Sequence, residues 1–163
     1  NGFLKFEDGI RFGEDALFMV DAYRLAESVK VVDSAVYCYV NNSDSVTRNT
    51  DISAIESVDN LLVKLYELCH VNPDLSELYK QSAVREVLSL IRNCARLESN
   101  QLFKPVSNMV CQSYFSYLME GFASHRYSRR FISEVKNRIT IRLLLARRVM
   151  AAIGFTKFVY GVR

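Results

Sequence analysis

Backbone breakers are scarce in this chain of 163 residues, which has only two prolines and six glycines. That scarcity excludes a collagen-like repeat, and a 50% apolar composition with mean hydropathy near zero excludes a disordered tail. No uninterrupted apolar run reaches the roughly 20 residues needed to span a bilayer. Residues Asn1 to Asp8 lack a basic segment followed by an apolar one, so no secretory signal is visible there. No Cys-x-x-Cys pair occurs. The cysteines, Cys38, Cys69, Cys94 and Cys111, are widely and irregularly spaced, and His70 and His125 fit no zinc pattern. We read reduced, mostly buried thiols of a cytoplasmic protein, with His70 closing a helix and His125 preceding a basic stretch.

What is present is enough apolar material for a real core in a chain near the size of one domain. The chain opens on Asn1 rather than Met and is expected to be a piece of a longer polypeptide. Net charge is only +3, but it is divided unevenly. Residues 1–125 carry 11 Lys and Arg against 17 Asp and Glu, whereas residues 126–163 carry 10 against Glu134 alone. The basic end therefore says more about partners than the total does.

Short turns and short apolar runs fill residues 1–50, and helical periodicity fills 51–163. A helix is predicted from Glu14-Asp15 to about Ser28, with Leu17, Phe18, Ala22 and Leu25 inward. Val29–Val32 and Ala35–Val40 read as two short strands, because Val36, Tyr37 and Tyr39 suit a half-buried pleated surface. Asn41–Ser45 is a polar loop. Helices follow over 52–70, from Asn72-Pro73 as cap and first-turn proline, over 105–122, and from Ser128 to about Gly154 as one long basic helix. The predicted fold is mainly α: a helical bundle with a short two-stranded β element near the N-terminus. Two units are expected, 1–50 and 51–163.

Gly13 permits a tight turn that places Glu14 and Asp15 at a helix N-terminus, where exposed N–H groups and the helix dipole favour ionised carboxylates. Such a carboxylate accepts a proton from any hydroxyl within hydrogen-bond reach. An acidic pair there also serves as a simple cap.

Phe6, Gly9, Ile10, Phe12, Gly13, Glu14, Asp15 and Phe18 are followed by an aliphatic run near Val31, by Tyr37 and Tyr39, and by Ser45-Val46-Thr47-Arg48. In order and spacing this pattern, over about residues 3–48, resembles the end of the catalytic domain in bacterial family-two glycosyltransferases, which have the GT-A α/β fold. The resemblance implies that 1–50 is the acceptor-side remnant of such a domain and 51–163 a helical C-terminal domain. It implies inverting transfer from a nucleotide diphospho-sugar to a hydroxyl of a glycan or lipid-linked acceptor. Asp15 would be the general base, and Glu14 would orient the acceptor or the base. The loop after Tyr39 would lie near the diphosphate, making Tyr39, Ser45, Thr47 and Arg48 substrate-binding candidates. The family often has a basic residue directly after its Tyr-x-Tyr. Val40 stands there, and Arg48 would supply the charge as a guanidinium suited to phosphate.

In that family the nucleotide-binding strands, with an Asp-x-Asp that holds a divalent metal (Mg or Mn), lie upstream. None of that is in this chain, so no cofactor is expected in it and the isolated chain is expected to be inactive. The rival reading is a non-catalytic helical interaction or membrane-surface-binding module with Glu14-Asp15 as a cap.

Residues 126–163 allow three readings: a peripheral helix on an anionic membrane, at the inner face for a cytoplasmic protein; a nucleic-acid patch, the weakest; and a bundle helix with solvated or paired arginines.

Overall fold

The computed structural model describes residues 4–34, 51–97, 100–124 and 131–161. Seven α-helices occur among them: α1 (Glu14–Leu25), α2 (Ile52–Val71), α3 (Ser76–Arg96), α4 (Phe103–Val110), α5 (Ser113–Ser124), α6 (Phe131–Leu145) and α7 (Val149–Tyr160). Short 3-10 turns, Pro73–Leu75 and Asn100–Leu102, lead into α3 and α4. The mainly helical expectation is met.

α3 is the centre of the bundle, packing against α2, α5, α7, α6 and α1. Its stripe of Tyr79, Ala83, Val84, Val87, Leu88, Ile91 and Cys94 is buried, at the spacing that puts one helix face against its neighbours. α2 answers with Ile55, Val58, Leu62, Leu65 and Cys69. Phe115, Leu118 and Met119 of α5 complete the middle of the core, and Ile141, Leu144, Val149 and Ala152 join it from α6 and α7. Ile10, Leu17 and Val20 from the N-terminal stretch belong to the same cluster. Across α2 and α5, the Tyr114 hydroxyl donates a hydrogen bond to Asp59. Burial and that carboxylate both push the phenol pKa upward.

Several boundaries differ from those expected, each for a local reason. α1 stops at Leu25, with Ala26 extended and its N–H on Ala22 O at 3.0 Å. Asn72 ends α2 rather than capping α3, and Pro73 starts a 3-10 turn instead. The predicted 105–122 helix is two helices. At Cys111 the N–H is shared between Ser107 O at 3.2 Å and Asn108 O at 3.3 Å, and at Gln112 the ladder tightens to a three-residue bond, N–H to Met109 O at 3.1 Å.

The predicted basic helix is also two. Arg147 has φ 58°, its N–H bonds Leu144 O and the N–H of Arg148 bonds Leu143 O, both at 2.8 Å. That pair of bonds is the Schellman stop, here built on arginine instead of glycine. Gly154 lies inside α7, and the true stop is Gly161, with φ 59°.

No strand occurs among the described residues. Val29 to Val32 show no pairing, and Val31 is 91% exposed. A strand needs a ladder partner, and the one expected, 35–40, lies outside the described residues. Cys69 and Cys94 are buried, with the Cys94 thiol pushed up to about 11 by burial, while Cys111 is exposed. His70 closes α2 as expected, its Nδ1 2.8 Å from Tyr66 O. No helix among the described residues is long and apolar enough to cross a membrane.

Candidate functional site

The stretch before α1 is pinned before the helix begins. The buried hydroxyl of Ser57, on α2, accepts the backbone N–H of Arg11 at 2.7 Å and of Phe12 at 3.2 Å. Gly13 then turns the chain with φ 76° and ψ 11°, a left-handed conformation that side chains disfavour. Any Cβ there would stand 2.5 Å from Leu61 Cδ2 and 3.3 Å from Glu86 Cγ. Glycine is thus required twice over, for its backbone angle and for its missing side chain. Its carbonyl accepts the first helical bond, from Leu17 N–H at 3.0 Å.

This turn sets Glu14 and Asp15 in the first turn of α1, as the sequence predicts. Asp15 is exposed and Glu14 half-buried. Asp15 Oδ1 accepts the N–H of Ala16 at 2.7 Å, satisfying one of the helix's unpaired donors and fixing the carboxylate at the helix start. Among the described residues, its second oxygen, Oδ2, meets no donor.

Asp15 lines an open cleft of about 310 Å3 between α1 and α3. Helical spacing builds both walls. Asp15, Met19 and Tyr23 recur every four residues on α1, and Leu78, Ser82 and Arg85 follow at i, i+4 and i+7 on α3. Glu86 adjoins both Gly13 and Arg85, so Asp15 and Arg85 share one end. Met19, Tyr23 and Leu78 give the rest of the cleft an exposed apolar lining. Arg85 Nε is 3.3 Å from Glu86 Oε1. Burial raises the Glu86 carboxyl pKa, Arg85 pulls it down, and the negative charges of Asp15 and Glu14 add to the rise.

Of the sequence-predicted site residues, Asp15 is thus brought to a cleft, while Glu14 stands beside it in the first turn of α1 and is not among the residues that line the cleft. Tyr39, Ser45, Thr47 and Arg48 lie outside the described residues. Ser82 and Arg85 were missed, because they sit on α3 some seventy residues away in sequence. Their only sequence signal is polarity on a face that also carries Leu78. The divalent metal implied by the resemblance finds no fitting ligand set here, since no group of three or more His, Cys, Asp or Glu suited to a metal occurs among the described residues.

No family model matches the chain, and no solved structure matches it. Over 64 residues, 39% of its length, the chain is 39% identical to a Bacillus subtilis (strain 168) protein named "Uncharacterized glycosyltransferase EpsJ". The aligned stretch spans 18% of that protein. The similarity reaches a protein that bears a glycosyltransferase name and covers a small part of it.

Proposed function

We propose that this chain is the acceptor-side, C-terminal part of a longer glycosyltransferase of the GT-A, family-two kind, acting in the synthesis of a bacterial surface polysaccharide or glycan. The observation that carries the reading is the place of Asp15: fixed at a helix N-terminus, exposed, and open to a cleft large enough for a saccharide unit. Partial similarity to a protein named as a glycosyltransferase supports it.

In this reading the donor is a nucleotide diphospho-sugar and the acceptor a glycan or lipid-linked hydroxyl. The acceptor oxygen attacks the anomeric carbon from the face opposite the diphosphate. Asp15 takes the hydroxyl proton as the new C–O bond forms, and the bond to the diphosphate breaks with its electron pair leaving on phosphate oxygen. Glu14 orients the acceptor or the base, and Tyr39, Ser45, Thr47 and Arg48 contact substrate. Polypeptide beyond this chain binds the donor and its divalent ion, which would neutralise the leaving diphosphate. The 163 residues alone then transfer no sugar.

Residues 126–163 are proposed to rest on an anionic membrane surface at the cytoplasmic face. Arg147 and Arg148 are exposed at the α6–α7 turn, and Met150 and Phe158 (86% exposed) lie two turns apart on the outer side of α7.

Asp15→Asn in the longer protein tests the central assignment. Turnover is expected to fall by about 10²–10⁴, the usual share of a general base, with the fold intact. A variant that keeps its turnover and loses only thermal stability would instead support the interaction-module reading, which the Asp15–Ala16 bond alone also satisfies.

A further inference from the structure

The cleft holds more than a base. Its lining residues include a cation, Arg85, and, one turn away on the same face of α3, the hydroxyl of Ser82. The Glu86 ion pair engages Arg85 through Nε, and the guanidinium side chain is 63% exposed. A guanidinium offers five donors in a planar fork, so its terminal nitrogens keep the geometry that matches a carboxylate or phosphate. The surroundings are otherwise acidic, with Glu14 and Asp15 both close enough to Glu86 to act on it electrostatically. A cation placed among them, on a wall facing the base, is positioned to offset the repulsion an anionic ligand would meet there.

We infer that the acceptor is an anionic saccharide, and that Arg85 with Ser82 holds its carboxylate or phosphate while its accepting hydroxyl meets Asp15. This rests on the reading of Asp15 as the base. The apolar remainder of the cleft, Met19, Tyr23 and Leu78, receives the C–H face of a sugar ring. Arg85 is a specificity-determining residue: it reads the charge of the acceptor and fixes how the acceptor lies, without touching the reacting atoms.

Titration of the chain by nuclear magnetic resonance at low ionic strength tests this with three probes: a glucuronic acid disaccharide, glucose 6-phosphate and a neutral glucose disaccharide. At least one anionic probe is expected to bind about tenfold more tightly than the neutral one, about 1.4 kcal/mol, and to shift the amides of Asp15, Ser82 and Arg85. Which anion does so identifies carboxylate or phosphate as the group recognised. Arg85→Gln is expected to erase the preference, Arg85→Lys to keep part of it, and Ser82→Ala to reduce it. Equal binding of charged and neutral probes, no binding of either anion, shifts away from α1 and α3, or an unchanged preference in Arg85→Gln would overturn the inference. In the longer transferase the two ideas separate. Loss of turnover in Asp15→Asn with an unaltered acceptor KM in Arg85→Gln would leave the base standing and remove the anion site. Retained turnover in Asp15→Asn would remove the base.

Discussion

Gly13 and Leu61 are so closely apposed that a Cβ on the glycine would lie 2.5 Å from the leucine Cδ2. Leu61 is buried on α2, and Gly13 is the residue from which α1 and its two first-turn carboxylates depart. The position of the candidate base is therefore set by contact between a turn and the bundle, not by the turn alone.

Gly13→Ala combines a left-handed backbone cost with overpacking against Leu61. We expect a loss of about 3 kcal/mol in unfolding free energy. Urea denaturation of the variant measures it, and an unchanged midpoint would mean that the turn tolerates a side chain.

Arg147 holds the left-handed position in the stop between α6 and α7, where glycine is the unstrained residue. Arg147→Gly is expected to stabilise the chain by about 1 kcal/mol, the relieved strain being partly offset by the freer unfolded backbone. If α6 and α7 were one continuous helix, the same change would destabilise it. Thermal melting followed by circular dichroism tells the two apart.

Glu86 makes stability depend on pH in a definite direction. Burial, the largest cause, raises its folded pKa above the ordinary value near 4.5. The folded state therefore binds the proton more tightly than the unfolded one, and this group's contribution weakens stability as pH rises from about 4.5 through the raised value. Glu86→Gln should then be more stable than the parent at pH 7, with the difference vanishing at pH 4. Denaturant midpoints at the two pH values check this. A gain that persists unchanged at pH 4 would point away from the carboxyl charge.

Co-sedimentation with vesicles tests the membrane surface. Vesicles rich in phosphatidylserine are expected to pellet the chain at low salt, and vesicles of phosphatidylcholine alone are not. Phe158→Ser combined with Arg147→Gln and Arg148→Gln should reduce the bound fraction several-fold, because both the apolar contact and the charge attraction are removed. Binding that ignores lipid charge, or no binding at all, would end the proposal.

The helices were legible because apolar residues recur at the helical period: Ile55, Val58, Leu62 and Leu65 on α2, and Val84, Val87, Leu88 and Ile91 on α3, are all in the core. The acidic pair after Gly13 was legible too, since glycine followed by carboxylates marks a helix start. Breaks that rest on ordinary residues left no such mark. A helix stop on Arg147, a tightened turn at Cys111 and a 3-10 turn at Pro73 are decided by which hydrogen bonds packing allows.

By itself, then, the sequence determined a mainly helical chain, its core stripes and a carboxylate at the head of α1, because periodicity and turn chemistry are local properties. Only the tertiary structure decided that Gly13 has no room for a side chain, that the basic end folds back as a hairpin, and that Arg85 and Ser82 stand across a cleft from Asp15. The first and the last of those facts depend on residues some fifty to seventy positions apart meeting in space, which no short-range pattern encodes, and the hairpin turns on a left-handed arginine, Arg147, where no glycine marks the stop.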